Sequence, residues 1–115
     1  DEMVVKKVAQ AKLNNIIPLV CVQGSETPVP NECQLIAFEP TFAIGTGNAD
    51  TPENANQIAE ALKKKNGPTL EVLYGGSVTL ENVKGFMTQP NLNGVLVGKA
   101  SLDAEEFIKI CKAVI

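Results

Sequence analysis

Glu39 closes the apolar run Leu35-Ile36-Ala37-Phe38, and Pro40 follows it at once, then the small-residue stretch Thr41-Phe42-Ala43-Ile44-Gly45-Thr46-Gly47. Proline has no N–H and a fixed φ, so a strand ladder should not run past Glu39. Gly45 and Gly47 tolerate positive φ and allow main-chain N–H groups to come close to a ligand. Chemically this is a carboxylate base on a rigid strand end, with a mobile lid attached to it. Two more glycine turns, Gly75-Gly76-Ser77 and Gly98-Lys99, also follow apolar runs. Either one alone is a tight strand-to-helix turn. Main-chain amides at such loop ends also bind dianions without arginine. All ten basic residues are lysines, and the chain has no arginine or histidine.

The elements that must position these residues alternate along the chain. Residues 1–14 read as a helix, with Asp1 and Glu2 at its positive end and Val4, Val5, Val8 and Leu13 as its apolar stripe. After the Asn14-Asn15 turn, Ile16 to Val22 is a continuous apolar run, expected to be a strand buried on both faces. Residues 23–34 have no helical period and contain two prolines, which predicts an extended crossover with at most one helical turn. Leu35–Phe38 is the next strand. Thr51 and Pro52 start a helix whose buried face is Ala55, Ile58, Ala59 and Leu62, closed by Lys63-Lys64-Lys65 and Asn66-Gly67-Pro68. Leu70–Tyr74 is a third strand. Thr79 is expected to cap a short helix with Val83 and Phe86 inward. Gly94–Val97 is a fourth strand, and a last helix starts near Asp103, with Glu106 completing a capping box and Phe107, Ile110, Cys111 and Val114 inward. Strands alternating with helices define an α/β fold with a parallel sheet and right-handed crossovers.

With 115 residues the chain makes one domain, residues 1–115, large enough for a core. A complete (β/α)8 barrel needs roughly 200–250 residues. A net charge of −3 argues against nucleic-acid or membrane-surface partners. Cys21, Cys33 and Cys111 are odd in number and widely spaced, and without histidines they form no zinc pattern. Free thiols, no metal and no cofactor are expected. No apolar run is long enough to span a bilayer and there is no signal-peptide pattern, so a cytoplasmic protein is expected.

Phe-Glu-Pro-Thr-Phe-Ala-Ile-Gly-Thr-Gly, at 38–47, resembles the catalytic glutamate and flexible loop of the triosephosphate isomerases. Tyr74-Gly75-Gly76-Ser77-Val78 and Leu96-Val97-Gly98-Lys99-Ala100-Ser101-Leu102 resemble that family's two phosphate-binding turns, in the same order and at similar spacing. The resemblance covers nearly the whole chain and only the C-terminal half of the barrel. It implies four parallel strands, corresponding to strands 5–8, with flanking helices. By the same resemblance Glu39 is the base that moves a proton between the two carbons next to the carbonyl of a triose phosphate. Pro40 to Gly47 is the lid, and Ile44 gives it apolar cover. Gly45, Ser77, Gly98 and Lys99 bind the substrate phosphate, and the Tyr74 hydroxyl latches the closed lid.

The sequence departs from the family pattern in several places. Lys99 stands where the commonest pattern has a second glycine, and strain is expected if that position needs positive φ. Thr41 and Phe42 replace a usual valine and tryptophan at the lid's first hinge. The helix expected between Val22 and Leu35 is absent. The family's electrophilic histidine, substrate-binding lysine and asparagine belong to the first half of the barrel. The resemblance therefore implies a partner, an N-terminal half-barrel chain, with the isolated chain inactive and a dimer of completed barrels compatible with the pairing. A fragment of an ordinary isomerase is one alternative. A non-catalytic, self-paired half-barrel that binds phosphate or acts as a scaffold is another.

Overall fold

A computed structural model describes residues Asp1–Ile115. Ten residues or more of strong local signal produce the helices that bracket the chain. Helix α1 (Glu2–Leu13) starts where the Asp1 carboxylate accepts the Met3 amide at 2.9 Å. It ends at Asn14, and Asn15 turns the chain with φ 57°. Strand β1 (Leu19–Val22) follows Pro18, so Ile16 and Ile17 lie outside the strand and are exposed. The connection to strand β2 (Leu35–Phe38) contains no helix. Pro28 and Pro30 remove two main-chain donors from it. The buried Cys33 thiol donates to the Leu35 carbonyl at 3.1 Å where the connection meets the sheet.

A single 3₁₀ turn, Thr41–Ala43, leads away from β2, and helix α2 (Pro52–Asn66) follows. Thr51 caps α2 by accepting the Asn54 amide at 3.2 Å, with Pro52 in the first turn. Strand β3 (Glu71–Gly75), helix α3 (Val83–Met87), strand β4 (Gly94–Leu96), a 3₁₀ turn (Lys99–Leu102) and helix α4 (Ala104–Ala113) complete the chain. The cap of α3 is Asn82, not Thr79: its Oδ1 accepts the Thr79 amide and its Nδ2 donates to the Ser77 carbonyl. The side chain of Asn82 thus ties the helix start back to the glycine turn before it. Asp103 caps α4 by accepting the Glu106 amide at 2.9 Å.

The four strands form one parallel sheet in the order β1-β2-β3-β4, the arrangement of half a (β/α)8 barrel. Val20 and Val22 pair in register with Ile36 and Phe38, and these with Val72 and Tyr74. All six are buried, facing Ala55, Ala59 and Leu62 of α2 and Val83 and Phe86 of α3. Tyr74 and Phe86 stack with ring centroids 3.9 Å apart.

The opposite face of the sheet corrects one expectation. The apolar run through β1 is buried on one face only, because Leu19 and Cys21 are exposed while Val20 and Val22 are buried. Side chains alternate along a strand, and the inner face of a half-barrel has nothing across from it. The same lack of cover explains the ends of the chain. Val8 is the one buried residue of α1, while Val5 and Leu13 of its apolar stripe are exposed. Ile110 is the one buried residue of α4, while Phe107, Cys111 and Val114 are exposed. No helix is long and apolar enough to cross a membrane.

Candidate active site

The carboxyl ends of β2, β3 and β4 open onto one cavity of about 740 Å³, whose lining includes Glu39, Gly45, Ser77, Gly98 and Lys99. Glu39 is half-buried just past β2, where its amide donates to the Val22 carbonyl at 2.8 Å. Two neighbours hold its side chain. The Cys21 thiol donates to Glu39 Oε1 at 2.8 Å. Gly75 lies beneath it, and a Cβ built there would sit 2.8 Å from Glu39 Cγ. Cys21 pairs in register with Ala37, two residues before Glu39 and on the same face of the sheet. Partial burial first, and then the Glu39 carboxylate, push the Cys21 thiol up to about 11, so it stays protonated at neutral pH and remains a donor.

The segment Pro40–Gly47 is folded down onto the glycine turn after β3. The Gly47 amide donates to Ser77 Oγ at 3.1 Å, and that hydroxyl donates to the Ala43 carbonyl at 2.6 Å. Three residues beyond the segment the Asp50 amide donates to the Tyr74 hydroxyl at 2.8 Å, and the hydroxyl donates to the Gly76 carbonyl at 2.8 Å. Burial raises the Tyr74 pKa, opposed by the hydrogen bond from the Asp50 amide, with the Asp50 charge adding a smaller upward push. Within the segment, Thr46 Oγ1 donates to the Phe42 carbonyl at 2.8 Å and accepts the Asn48 amide. Phe42 and Ile44 remain exposed, whereas Ala43 is fully buried against the turn. A Cβ at Gly76, where φ is 151°, would come within 2.9 Å of the Ala43 Cβ. The close seat of the lid on the turn depends on that missing atom.

The remaining lining is suited to an anion. No hydrogen bond of the structure takes the amide N–H of Gly45, Ser77 or Gly98 as its donor. Gly45 has φ 65° and Ser77 φ 53°, so the chain turns sharply at both. Free amides on turns of this kind bind oxyanions through partial positive charge. Lys99 is not in the positive-φ region, because the unusual backbone angles of the turn fall on Gly98, at φ −92° and ψ −107°. The strain expected at Lys99 is therefore absent.

The structure thus brings Glu39, Gly45, Ser77, Gly98 and Lys99 to one cavity. It places Tyr74 outside the lining, with its hydroxyl bonded to Asp50, three residues past the lid, and not to the lid itself. Cys21 was not expected at the site, and Gly75 was read only as part of a glycine turn. Their contact with Glu39 follows from strand register, which composition and spacing do not encode.

Four parallel strands with flanking helices, with a carboxylate and free amides at their carboxyl ends, define the chain as an α/β protein of the half-(β/α)8-barrel class. The sequence model of one such family, triosephosphate isomerase, matches residues 1–114, and the chain belongs to that family. The triosephosphate isomerase of Mesomycoplasma hyorhinis is 40% identical over 124 residues, covering 90% of this chain and 51% of the relative. That of Leifsonia xyli is 39% identical over 141 residues, covering 97% of this chain and 54% of the relative. The isomerase of Caldanaerobacter subterraneus is 35% identical and is covered to 57% of its length. The chain therefore spans about half the length of the curated relatives it matches. An alignment of 141 positions exceeds its 115 residues, so these relatives also carry internal residues that it lacks.

Proposed function

We propose that the chain is the C-terminal half of a triosephosphate isomerase, active when an N-terminal half-barrel completes the barrel. One observation carries this: a single cavity holds the Glu39 carboxylate together with the free amides of Gly45, Ser77 and Gly98, under a lid folded onto it. A binding module needs the amides. It has no use for a carboxylate held on the cavity wall by a thiol and a glycine, which would only repel a dianion.

In the proposed reaction the amides hold the phosphate of glyceraldehyde 3-phosphate and leave the two carbons at its other end near Glu39. Glu39 takes the proton from the carbon beside the carbonyl. The C–H electron pair forms the carbon–carbon double bond of an enediolate, with the charge on the former carbonyl oxygen; the carboxylic acid then returns its proton to the former carbonyl carbon while the proton of the neighbouring hydroxyl passes to the charged oxygen, giving dihydroxyacetone phosphate. Glu39 ends as it began, and no other atom is gained or lost. The lid excludes water, which strengthens the carboxylate as a base and protects the enediol. The developing charge on the carbonyl oxygen needs a donor. The chain has no histidine, so that donor, with the lysine and asparagine implied by the family, belongs to the partner half.

The test is isomerisation of glyceraldehyde 3-phosphate by this chain alone, by an N-terminal half alone and by their mixture. Activity of the mixture only, abolished by Glu39→Gln, is the expected result. A stable complex without activity would support the scaffold reading instead, and activity of this chain alone would contradict the need for the missing groups.

A further inference from the structure

Lys99 is the one cation among the residues lining the cavity, and three carboxylates, Glu39, Asp103 and Glu106, line it too. None of the chain's four ion pairs involves Lys99, and its side chain is exposed. Asp103 is engaged as the cap of α4. Without Lys99 every ionisable group on the wall would be an acid, and the field in the cavity would oppose entry of a dianion. A second glycine would suffice if main-chain amides were the whole anion site, because Lys99 relieves no backbone strain and fills no gap in the core.

We propose that the Lys99 ammonium is itself a phosphate-binding group, which supplies the charge that the amides of Gly45, Ser77 and Gly98 lack. The inference rests on the phosphate-binding reading of the cavity and goes beyond it, by assigning a large share of the affinity to one side chain. A phosphate monoester carries close to two negative charges at neutral pH. The ammonium on its flexible stem serves as a point charge that can follow the phosphate, unlike fixed amides. Binding by this chain therefore depends on ionic strength and favours the dianion over the monoanion.

Calorimetric titration of this chain with inorganic phosphate at low and at moderate salt tests the proposal, using Lys99→Met, Lys99→Gly and Lys99→Arg. Melting temperature serves as the folding control, since Lys99 is exposed and outside the core. The expected result is affinity about five- to tenfold weaker in Lys99→Met and Lys99→Gly, with a flatter salt dependence, and largely kept in Lys99→Arg. Unchanged phosphate affinity in Lys99→Met overturns the assignment and leaves the amide site standing. Absence of phosphate binding in the parent chain and all variants overturns both. In a barrel completed by an N-terminal half, Lys99→Met should raise KM and leave kcat, because the phosphate is bound alike before and during proton transfer. A fall in kcat at constant KM counts against the role.

Discussion

The Cys21 thiol and the Glu39 carboxylate are 2.8 Å apart, joined by a hydrogen bond across the neighbouring strands β1 and β2. The thiol is exposed yet poorly reactive, because partial burial and the carboxylate hold its pKa at about 11. The thiolate is the nucleophile in alkylation. Iodoacetamide at pH 8 is expected to modify the exposed Cys111 well before Cys21, and Cys21 to catch up as the pH approaches 11. Peptide mass spectrometry across that range checks this, and equal rates at pH 8 would contradict the contact. The sign of the linked stability follows from a folded pKa above the ordinary 9.0. In that window the unfolded chain binds fewer protons. The contribution is whole below pH 9 and is lost as the pH rises towards 11, and Cys21→Ser should remove this part of the slope.

Gly75 gives Glu39 its place. Its backbone is ordinary strand, so alanine is conformationally allowed there, but the new methyl group would meet Glu39 Cγ at 2.8 Å. The carboxylate has to swing away from Cys21. Small misplacements of a reacting group cost about 10²-fold in rate. Gly75→Ala is therefore expected to lower kcat of the completed barrel by about that factor, while this chain melts within a few degrees of the parent. A parent-like kcat would show that Glu39 has another productive position.

The lid is pinned at one point and the chain just past it at another, and each can be removed separately. Ser77→Ala deletes the bonds to the Gly47 amide and the Ala43 carbonyl. Tyr74→Phe deletes those to the Asp50 amide and the Gly76 carbonyl, and leaves a buried acceptor unpaired at about 1–3 kcal/mol. Chymotrypsin cutting after Phe42, which is exposed in the lid, reports the opening. Ser77→Ala should be cut several-fold faster with little change in stability, whereas Tyr74→Phe should be both cut faster and less stable.

Asn93 ties the end of α2 to β3 away from the cavity. Its Oδ1 accepts both the Val72 amide and Lys63 Nζ at 2.9 Å, and its own amide donates to the Val72 carbonyl. Asn93→Ala leaves the main-chain amide of the buried Val72 without its partner. A loss of about 1–3 kcal/mol is expected by urea unfolding, with phosphate affinity unchanged.

Local chemistry made most of the elements legible. Thr51-Pro52 and Asp103 cap the helices predicted to start at them, and Pro40 ends β2 at Phe38. Failures cluster where an apolar face has nothing in the chain packed across it. The stripes of α1 and α4 and the inner face of β1 are apolar in sequence, yet Val5, Leu13, Leu19, Phe107 and Val114 stay exposed. Thr79 carried a good cap signal, but Asn82, three residues later, satisfies the same loop with both ends of its amide.

Residue order alone determined the alternation of strand and helix, the family, and the glycine turns after β3 and β4, since each depends on local propensity or on motif. Tertiary structure decided what those residues touch. Parallel register puts Cys21 beside Glu39 from 18 residues away, and the pairing of β2 with β3 brings Ser77 under a lid that begins 37 residues before it. Such contacts are set by strand pairing and by the room that Gly75 and Gly76 leave, quantities defined only once the chain has packed.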